Sequence, residues 1–347
     1  MKIFKQIILI LIVFFKTGNL LSENNLFNVN NIDLERKGNI SSNQLANQAI
    51  QKGFNQLIKR VLMKEDLPKV SGISFLDIKN LVTYYNISEN TNEENSKINF
   101  SVTFDKDKIH DLFYKKGISY SDITDKDFYI LPILLNNDEV YIFSNNYFYE
   151  NWNKLSEQDD LIEFILPIEN IEIIQKINNS RNNLLDLDIN SLFKEYLKKN
   201  IAIILIENNN SNKEKIYLKA KIQGKIISKS FVLKKDKFEK KNFNEKIIYD
   251  VKDEITNLVK SQNLIDIRTP SFLNVKLNLN KGMNLVLLNS RIQNIDLIEN
   301  IFVQEFNRDY VNLRIKYLGK LDKIINLLKI EKIELSYVND QWFIHSL

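Results

Sequence analysis

Residues 98–117 read INFSVTFDKDKIHDLFYKKG, and this stretch decides the fold class. Its first seven residues alternate apolar and polar side chains, a pattern that predicts a half-buried strand. The next residues, 105–116, predict a short helix that ends at Gly117, because glycine readily adopts the left-handed conformation found at helix C-termini. With its neighbours on both sides, this strand and helix predict an α+β protein.

The residues around this stretch extend it into a β-α-β-β-α-β order. A strand is predicted over 26–34, and Ser41 or Ser42 is suited to cap the long helix that follows. Further strands are predicted over 80–88 and 128–135, which completes the order of a ferredoxin-like fold. The long helix is indicated by apolar residues that recur every three or four positions, namely Leu45, Ala46, Ala49, Ile50, Phe54, Leu57, Ile58, Val61 and Leu62.

The C-terminal residues predict a second unit of the same kind. It begins with an alternating strand over 273–279, followed by a helix over 282–294. The remaining elements are strands over 301–306 and 311–317, a helix over 320–329, and strands over 333–338 and 342–344.

Between these units the apolar residues run without alternation, which indicates strands covered on both faces. The sequence therefore predicts an α/β middle domain flanked by ferredoxin-like N- and C-terminal units. The three domains are expected at 23–120, 121–265 and 266–347. Within the middle domain we expect strands over 130–135, 140–143, 161–166 and 201–206, helices over 171–177, 191–199 and 244–262, and a hairpin over 215–234.

Residues 1–22 have the composition of a secretory signal peptide. Lys2 and Lys5 precede an unbroken apolar run over 7–15, and the segment ends at the small residue Ser22. A membrane-spanning helix needs about 20 apolar residues, so this shorter run favours cleavage over retention as an anchor. We expect cleavage near Ser22 and a periplasmic or otherwise exported protein.

Export changes how the charge and the cysteine content are interpreted. The chain has 48 Lys and Arg against 44 Asp and Glu; without the three lysines of residues 1–22 the counts are 45 and 44, a net charge of +1. This balance does not indicate a nucleic-acid partner. The absence of cysteine from the sequence excludes disulfides, a catalytic thiol and thiolate zinc sites.

The sequence assigns no catalytic residue, metal ligand or cofactor. The two histidines, His110 and His345, do not support a Ser-His-Asp arrangement, and His110 is expected on a solvated helix face. No glycine-rich loop is suited to hold a nucleotide. Paired acids are expected to cap helices and turns, and the alternative is a hydrolase that uses them as acid and base: Asp186 with Asp188, or Asp122 with Asp125 and Asp127.

The hairpin region is the one strongly basic part of the mature chain. Residues 213–241 contain eleven lysines against three acids. Alternation places many of these lysines on a solvent-facing side, where they protect an edge strand from association. The sharper hypothesis is that Lys219, Lys221 and Lys225 contact anionic lipid headgroups or cell-wall polymers.

Aromatic residues are concentrated just before residue 153. Tyr147, Tyr149 and Trp152 either pack in a core or line a pocket, because such rings stack on sugars and other small ligands. The sequence leaves both alternatives open.

The ordered series of these segments resembles domain-of-unknown-function family 2066, a group of uncharacterised exported alphaproteobacterial proteins. The resemblance covers nearly all of the mature chain and implies export, but no activity and no site residues. It rests on Ala46, Ala49, 54–60, 102–104, Leu112, 117–120, 130–133, Asn145, Asn146, Trp152, 164–168, 317–319, Leu321 and Trp342.

Three functions are compatible with these observations. The first is a non-catalytic accessory that binds envelope proteins or anionic cell-wall or lipid components through the middle domain. The second is a hydrolase of envelope polymers that uses the paired carboxylates. The third is a module that binds a small ligand through Tyr147, Tyr149 and Trp152.

Overall fold

The computed structural model describes residues 26–35, 40–89, 97–123, 125–137, 139–155, 161–208, 213–234, 240–279 and 285–346. The predicted signal peptide lies outside the described residues. The described chain forms two compact units. The first contains the described residues up to Tyr120 together with those from Asp266 onwards, and the second is Ser121–Ile265. The domain boundaries expected from the sequence stay a prediction.

The N-terminal part of the first unit is a three-stranded antiparallel sheet with helices. The sheet has the order β1-β3-β2, so the strand of the quoted stretch lies at its centre. The elements are β1 (Asn28–Glu35), α1 (Ser42–Val61), α2 (Phe75–Asn80), β2 (Val82–Glu89), β3 (Lys97–Phe104) and α3 (Lys106–Lys116).

The helix ends follow from local chemistry. Ser41 caps α1 through a capping box with Gln44, in which each side chain accepts a hydrogen bond from the other residue's backbone N–H. A Cβ at Gly53 of α1 would lie 2.9 Å from Ile32 Cδ1 on β1, so the helix approaches the sheet closely at this glycine. Helix α3 ends at Gly117, whose φ of 63° is left-handed, as the sequence predicts.

The second unit contains a six-stranded mixed sheet. Its order is β10-β9-β8-β5-β6, and β7 pairs with β5 at the end opposite β6. Strands β5, β7 and β8 are parallel, and the other pairs are antiparallel. The elements are β4 (Tyr120–Ser121), β5 (Asp127–Asn136), β6 (Glu139–Tyr141), α4 (Tyr147–Asn151), β7 (Glu163–Ile165), α5 (Ile171–Asn179), α6 (Ile189–Leu192), β8 (Asn200–Asn208), β9 (Lys213–Ile222), β10 (Lys225–Lys234), α7 (Lys240–Gln262) and β11 (Leu264–Ile265).

The predicted strand over 128–135 does not join the N-terminal sheet, so the ferredoxin-like order is not completed there. It is β5, which pairs with β8 along nine residues. Ile130, Leu131 and Ile133 of β5 point alternately to the two faces and are all fully buried. A strand that is apolar on both faces needs cover on both, and the second unit supplies it with two separate cores. One core contains Ile130 and residues of α7, and the other contains Leu131, Ile133 and residues of α5 and α6.

The C-terminal residues form a five-stranded sheet with the order β13-β14-β12-β16-β15. The last strand runs parallel to β12 and lies between β12 and β15, so the sheet has one strand more than a four-stranded ferredoxin-like unit. The hairpin turn before it, Asn339-Asp340, has positive φ at both residues, which is the geometry of a two-residue hairpin turn. The elements are β12 (Ser271–Asn278), α8 (Leu285–Ile292), β13 (Ile298–Phe306), β14 (Tyr310–Tyr317), α9 (Leu321–Ile330), β15 (Ile333–Val338) and β16 (Gln341–Ser346).

The described residues therefore form an α+β protein, as the sequence predicts. None of its described helices combines the length and the apolar character needed to cross a membrane.

Candidate ligand-binding cleft

A cleft of about 600 Å³ lies in the second unit, where β5 and β8 end. Ligands in sheets with parallel strands commonly bind outside the carboxyl ends of the strands. The volume lies within the range of small-molecule sites. The cleft is lined by Leu134, Asn136, Tyr141, Asn145, Tyr147, Phe148, Asn208, Glu214 and Asn244.

The buried side chain of Asn146 positions the turn that places Tyr147 at this cleft. The Asn146 side-chain amide donates to the carbonyl oxygens of Pro132 (2.9 Å), Ile142 (2.8 Å) and Tyr141 (3.2 Å). Its Oδ1 accepts from the backbone N–H of Phe148 at 3.1 Å and so caps α4. Asn146 thereby holds the turn between β6 and α4 against β5 and places the first residue of α4, Tyr147, at the cleft.

The position of Pro132 explains why an asparagine is needed there. On one side β5 pairs with β7 over 127–129 and with β6 over 134–136, so no described strand pairs with residues 130–133 on that side. In a strand, the N–H and the C=O of one residue point to the same edge of the sheet. Because the Pro132 C=O points away from β8, the missing N–H of Pro132 removes no hydrogen bond between β5 and β8. The proline carbonyl still needs a donor, and the Asn146 amide supplies it.

The lining combines four amide side chains and one carboxylate with aromatic and aliphatic side chains. Glu214 is only 2% exposed and is the one charged side chain among the lining residues that the structure describes. The pKa of Tyr147 is raised above its ordinary value, chiefly by burial and further by the nearby charge of Glu245. The pKa of Tyr141 is raised by its hydrogen bond to Glu139. Both phenols therefore stay protonated at neutral pH, and Tyr141 uses its O–H for the hydrogen bond to Glu139.

Of the three aromatic residues singled out from the sequence, Tyr147 lines the cleft. Tyr149 donates to the backbone carbonyl of Pro167 at 2.8 Å and packs edge-on against Phe143. Trp152 is fully buried in the core that contains α7. The three aromatic residues therefore do not form one cluster: Tyr147 lines the cleft, and Tyr149 and Trp152 pack elsewhere.

Sequence reasoning missed the amides of the cleft, Asn136, Asn145, Asn208 and Asn244. A usable signal was present, because Asn136 and Asn208 are the last residues of two parallel strands. Polar residues that end two parallel strands meet at one edge of the sheet. Asn145 carries a different signal, a left-handed φ of 56° in the turn before α4.

The lysines of the hairpin lie outside this cleft. Lys219 Nζ donates to the Leu187 carbonyl at 2.8 Å, and Lys221 Nζ donates to Asn190 Oδ1 at 2.7 Å. These two lysines attach the segment around α6 to the sheet. Lys225, next to the hairpin turn, is exposed.

The acids proposed as catalytic pairs have local contacts. Asp188 caps α6 through the Asn190 N–H at 3.0 Å, as expected for an acid before a helix, and Asp186 accepts from Asn183. Asp127 pairs with Lys199 at 3.0 Å. That hydrogen bond, together with the charge of Asp127 and of Asp125, raises the pKa of Lys199. Within the described residues no three His, Cys, Asp or Glu side chains are grouped as metal ligands would be.

His110 is less solvated than the sequence suggests. Its ring lies 5.5 Å from that of Phe27 and 5.2 Å from that of Tyr120, between centroids. Its Nε2 is buried and has no hydrogen-bond partner among the described residues. Burial, followed by the positive charge of Lys106, lowers the pKa of His110 below its ordinary value.

We expect this histidine to make the protein less stable in mild acid. The pKa is lower in the folded state, so the unfolded chain takes up the proton first as the pH falls through about 6.5. The free energy of unfolding should therefore be fully retained above pH 6.5 and fall below it, by at most about 1.4 kcal/mol per pH unit from this group. Urea titrations at pH 7 and pH 5 should show that the free energy of unfolding falls less between these two pH values in His110→Phe than in the wild type. Equal losses in both proteins would contradict this assignment.

Comparison with known proteins adds little to this geometry. No family model matches the chain, and no curated protein matches it. Among solved structures it is similar to a protein described as "Crystal structure of uncharacterized protein", at 9% identity and a TM-score of 0.20. That match covers 41% of this chain and 94% of the other.

Proposed function

We propose that this protein is a non-catalytic, exported envelope protein that binds a small, uncharged polar ligand, such as a saccharide, in the cleft at the ends of β5 and β8. The observation that carries the proposal is the lining of that cleft. Amide groups that both donate and accept are combined with two phenols, and no cationic side chain is among the described lining residues.

This lining favours a neutral ligand over an anionic one. A hydroxyl-rich molecule can exchange donors and acceptors with Asn136, Asn145 and Asn244. The ring of Tyr147 offers apolar surface for the carbon face of a sugar. Because none of the described lining residues is cationic, they offer an anion no opposite charge to pair with.

Export and family membership belong to the same proposal. They are supported by the composition of residues 1–22 and by the ordered resemblance to family 2066. Protein recovered from the periplasm should have an intact mass that corresponds to a chain starting near Glu23. Recovery of the full-length chain from the cytoplasm would contradict export.

The cleft is tested by substitution of Tyr147. We expect saturation-transfer NMR to show N-acetyl-D-glucosamine or D-glucose bound, with little or no signal from D-glucuronate. Tyr147→Ala should weaken binding about tenfold or more, because it removes a stacking surface and a hydrogen-bonding group together.

The matched control is Tyr114→Ala, which makes the same change at a tyrosine that is 61% exposed and outside the cleft. It should leave sugar binding unchanged. Equal binding by wild type and Tyr147→Ala would remove the cleft as the site. Binding of glucuronate in preference to the neutral sugars would overturn the ligand class.

A further inference from the structure

Strand β10 is an edge strand of the six-stranded sheet. It pairs with β9 along all ten of its residues, from Lys225 to Lys234, and no described strand pairs with its outer side. A long edge of this kind presents main-chain donors and acceptors to which another extended chain can add.

A groove lies beside this edge on one face of the sheet. Its cavity is about 260 Å³ and is bounded by the one-turn segment Arg181–Asp186 and by strands β8, β9 and β10. Leu185, which lines this groove, is 51% exposed. Most of the lining is apolar, and the residues that form it include Leu184, Leu185, Leu187, Ile203, Leu205 and Tyr217, with Ser228 and Ser230 from β10.

The exposed face of β10 continues this apolar surface. Alternate residues of a strand share a face, so Ile226 and Val232 lie on the same side as the two serines of the groove. They are 52% and 51% exposed. An extended chain laid along the edge would therefore contact an apolar side chain near each end of this face and the groove between them.

The charge of this face is positive. Lys215, Lys219 and Lys221 are opposite Val232, Ser228 and Ile226 in the β9–β10 register and so share their face. Lys219 and Lys221 hold the groove wall through carbonyl and amide oxygens, which leaves their positive charge in place.

We propose that β10 and this groove together bind an extended, acidic segment of a partner protein. The segment adds as a further strand to the outer edge of β10, places an apolar side chain in the groove, and sets its acids against the lysines. Pairing of β10 with a second copy of itself is disfavoured, because an antiparallel arrangement would bring Lys225 opposite Lys234. This site is separate from the sugar cleft and does not depend on it.

Synthetic peptides test the proposal directly. A labelled nine-residue peptide with Glu at positions 1, 5 and 9, Val at positions 3 and 7 and Ser at the even positions presents Glu and Val on one face. It should bind the full chain in fluorescence anisotropy, and binding should weaken as salt increases. The same peptide with Lys in place of Glu should not bind. Leu185→Asp should weaken binding of the acidic peptide about tenfold or more, because it removes an apolar contact and adds repulsion.

The control variant is Leu76→Asp, the same change at a leucine that is 72% exposed and is not among the residues that line the groove. It should bind the acidic peptide as wild type does. No binding of the acidic peptide, equal binding of the lysine peptide, or equal affinity in Leu185→Asp would each overturn the proposal. Concentration-dependent dimerisation that the acidic peptide does not reverse would show that the edge binds a second copy instead.

Discussion

Replacement of Asn146 by leucine is expected to lower the free energy of unfolding by about 4 kcal/mol. Asn146 is fully buried, and its amide is the donor to the carbonyls of Pro132 and Ile142. Leucine has a similar size but leaves these carbonyls without that donor and removes the cap of α4. Urea denaturation followed by far-UV circular dichroism measures the loss.

Asn146→Asp separates the two roles of this side chain. The carboxylate can still accept from the N–H groups that begin α4, but it would face carbonyl oxygens that now receive a donor. We expect it to be less stable than the leucine variant at pH 7 and to recover partly in acid, where the protonated carboxyl can donate one hydrogen bond.

The control is Asn170→Ala. Asn170 caps α5 through the Glu172 N–H at 2.7 Å but is exposed. Loss of this cap should cost only about 1 kcal/mol. If Asn146→Leu costs no more than Asn170→Ala, the carbonyl contacts of Asn146 do not stabilise the protein as proposed.

Trp152→Ala is expected to cost about 3–5 kcal/mol. The indole is fully buried, and its ring lies 6.0 Å from that of Phe164, between centroids, in an edge-on arrangement. Alanine would leave a large cavity in the core beneath α7, because the surrounding strands relax only partly. Chemical denaturation measures this loss.

Trp152→Phe tests the same position with a smaller change. The indole N–H is buried without a hydrogen-bond partner among the described residues. Its removal therefore stabilises the protein and offsets part of the stability lost with the packing contacts. We expect a cost below about 2 kcal/mol and unchanged sugar binding. Impaired sugar binding by a folded Trp152→Phe protein would show that Trp152 contributes to the ligand site after all.

Several elements could be predicted from local sequence because their cause is local. The helix over 105–116 is capped by Asp105 and ends at Gly117, and both signals lie within the helix and its neighbours. The hairpin over 215–234 turns at Gln223-Gly224, where both φ values are positive. In each case residues a few positions apart supply the hydrogen bonds or the backbone freedom that the element requires.

The candidate site could not be found in the same way, because its residues come from separate elements. Tyr147 was singled out from the sequence, whereas Glu214 and Asn244 enter the cleft from β9 and α7. The hairpin lysines show the same limit, since alternation predicts a solvent-facing side but not the acceptors around α6 that Lys219 and Lys221 reach.

The sequence by itself determined the α+β class, the approximate positions of α1, α3, α5, α7, α8 and α9 and of the β9–β10 hairpin, and the parts of the chain that are apolar on one face or on two. It did not predict α2 or α4, and the helix predicted over 191–199 is instead the short α6. Only the tertiary structure decided that the strand over 128–135 joins the six-stranded sheet, that β16 lies between β12 and β15, and that a cleft opens where β5 and β8 end. The periodicity of apolar residues indicates whether one or both faces of a strand are buried, but not which distant residues bury them. That choice depends on the packing of whole faces, such as the two cores on either side of β5.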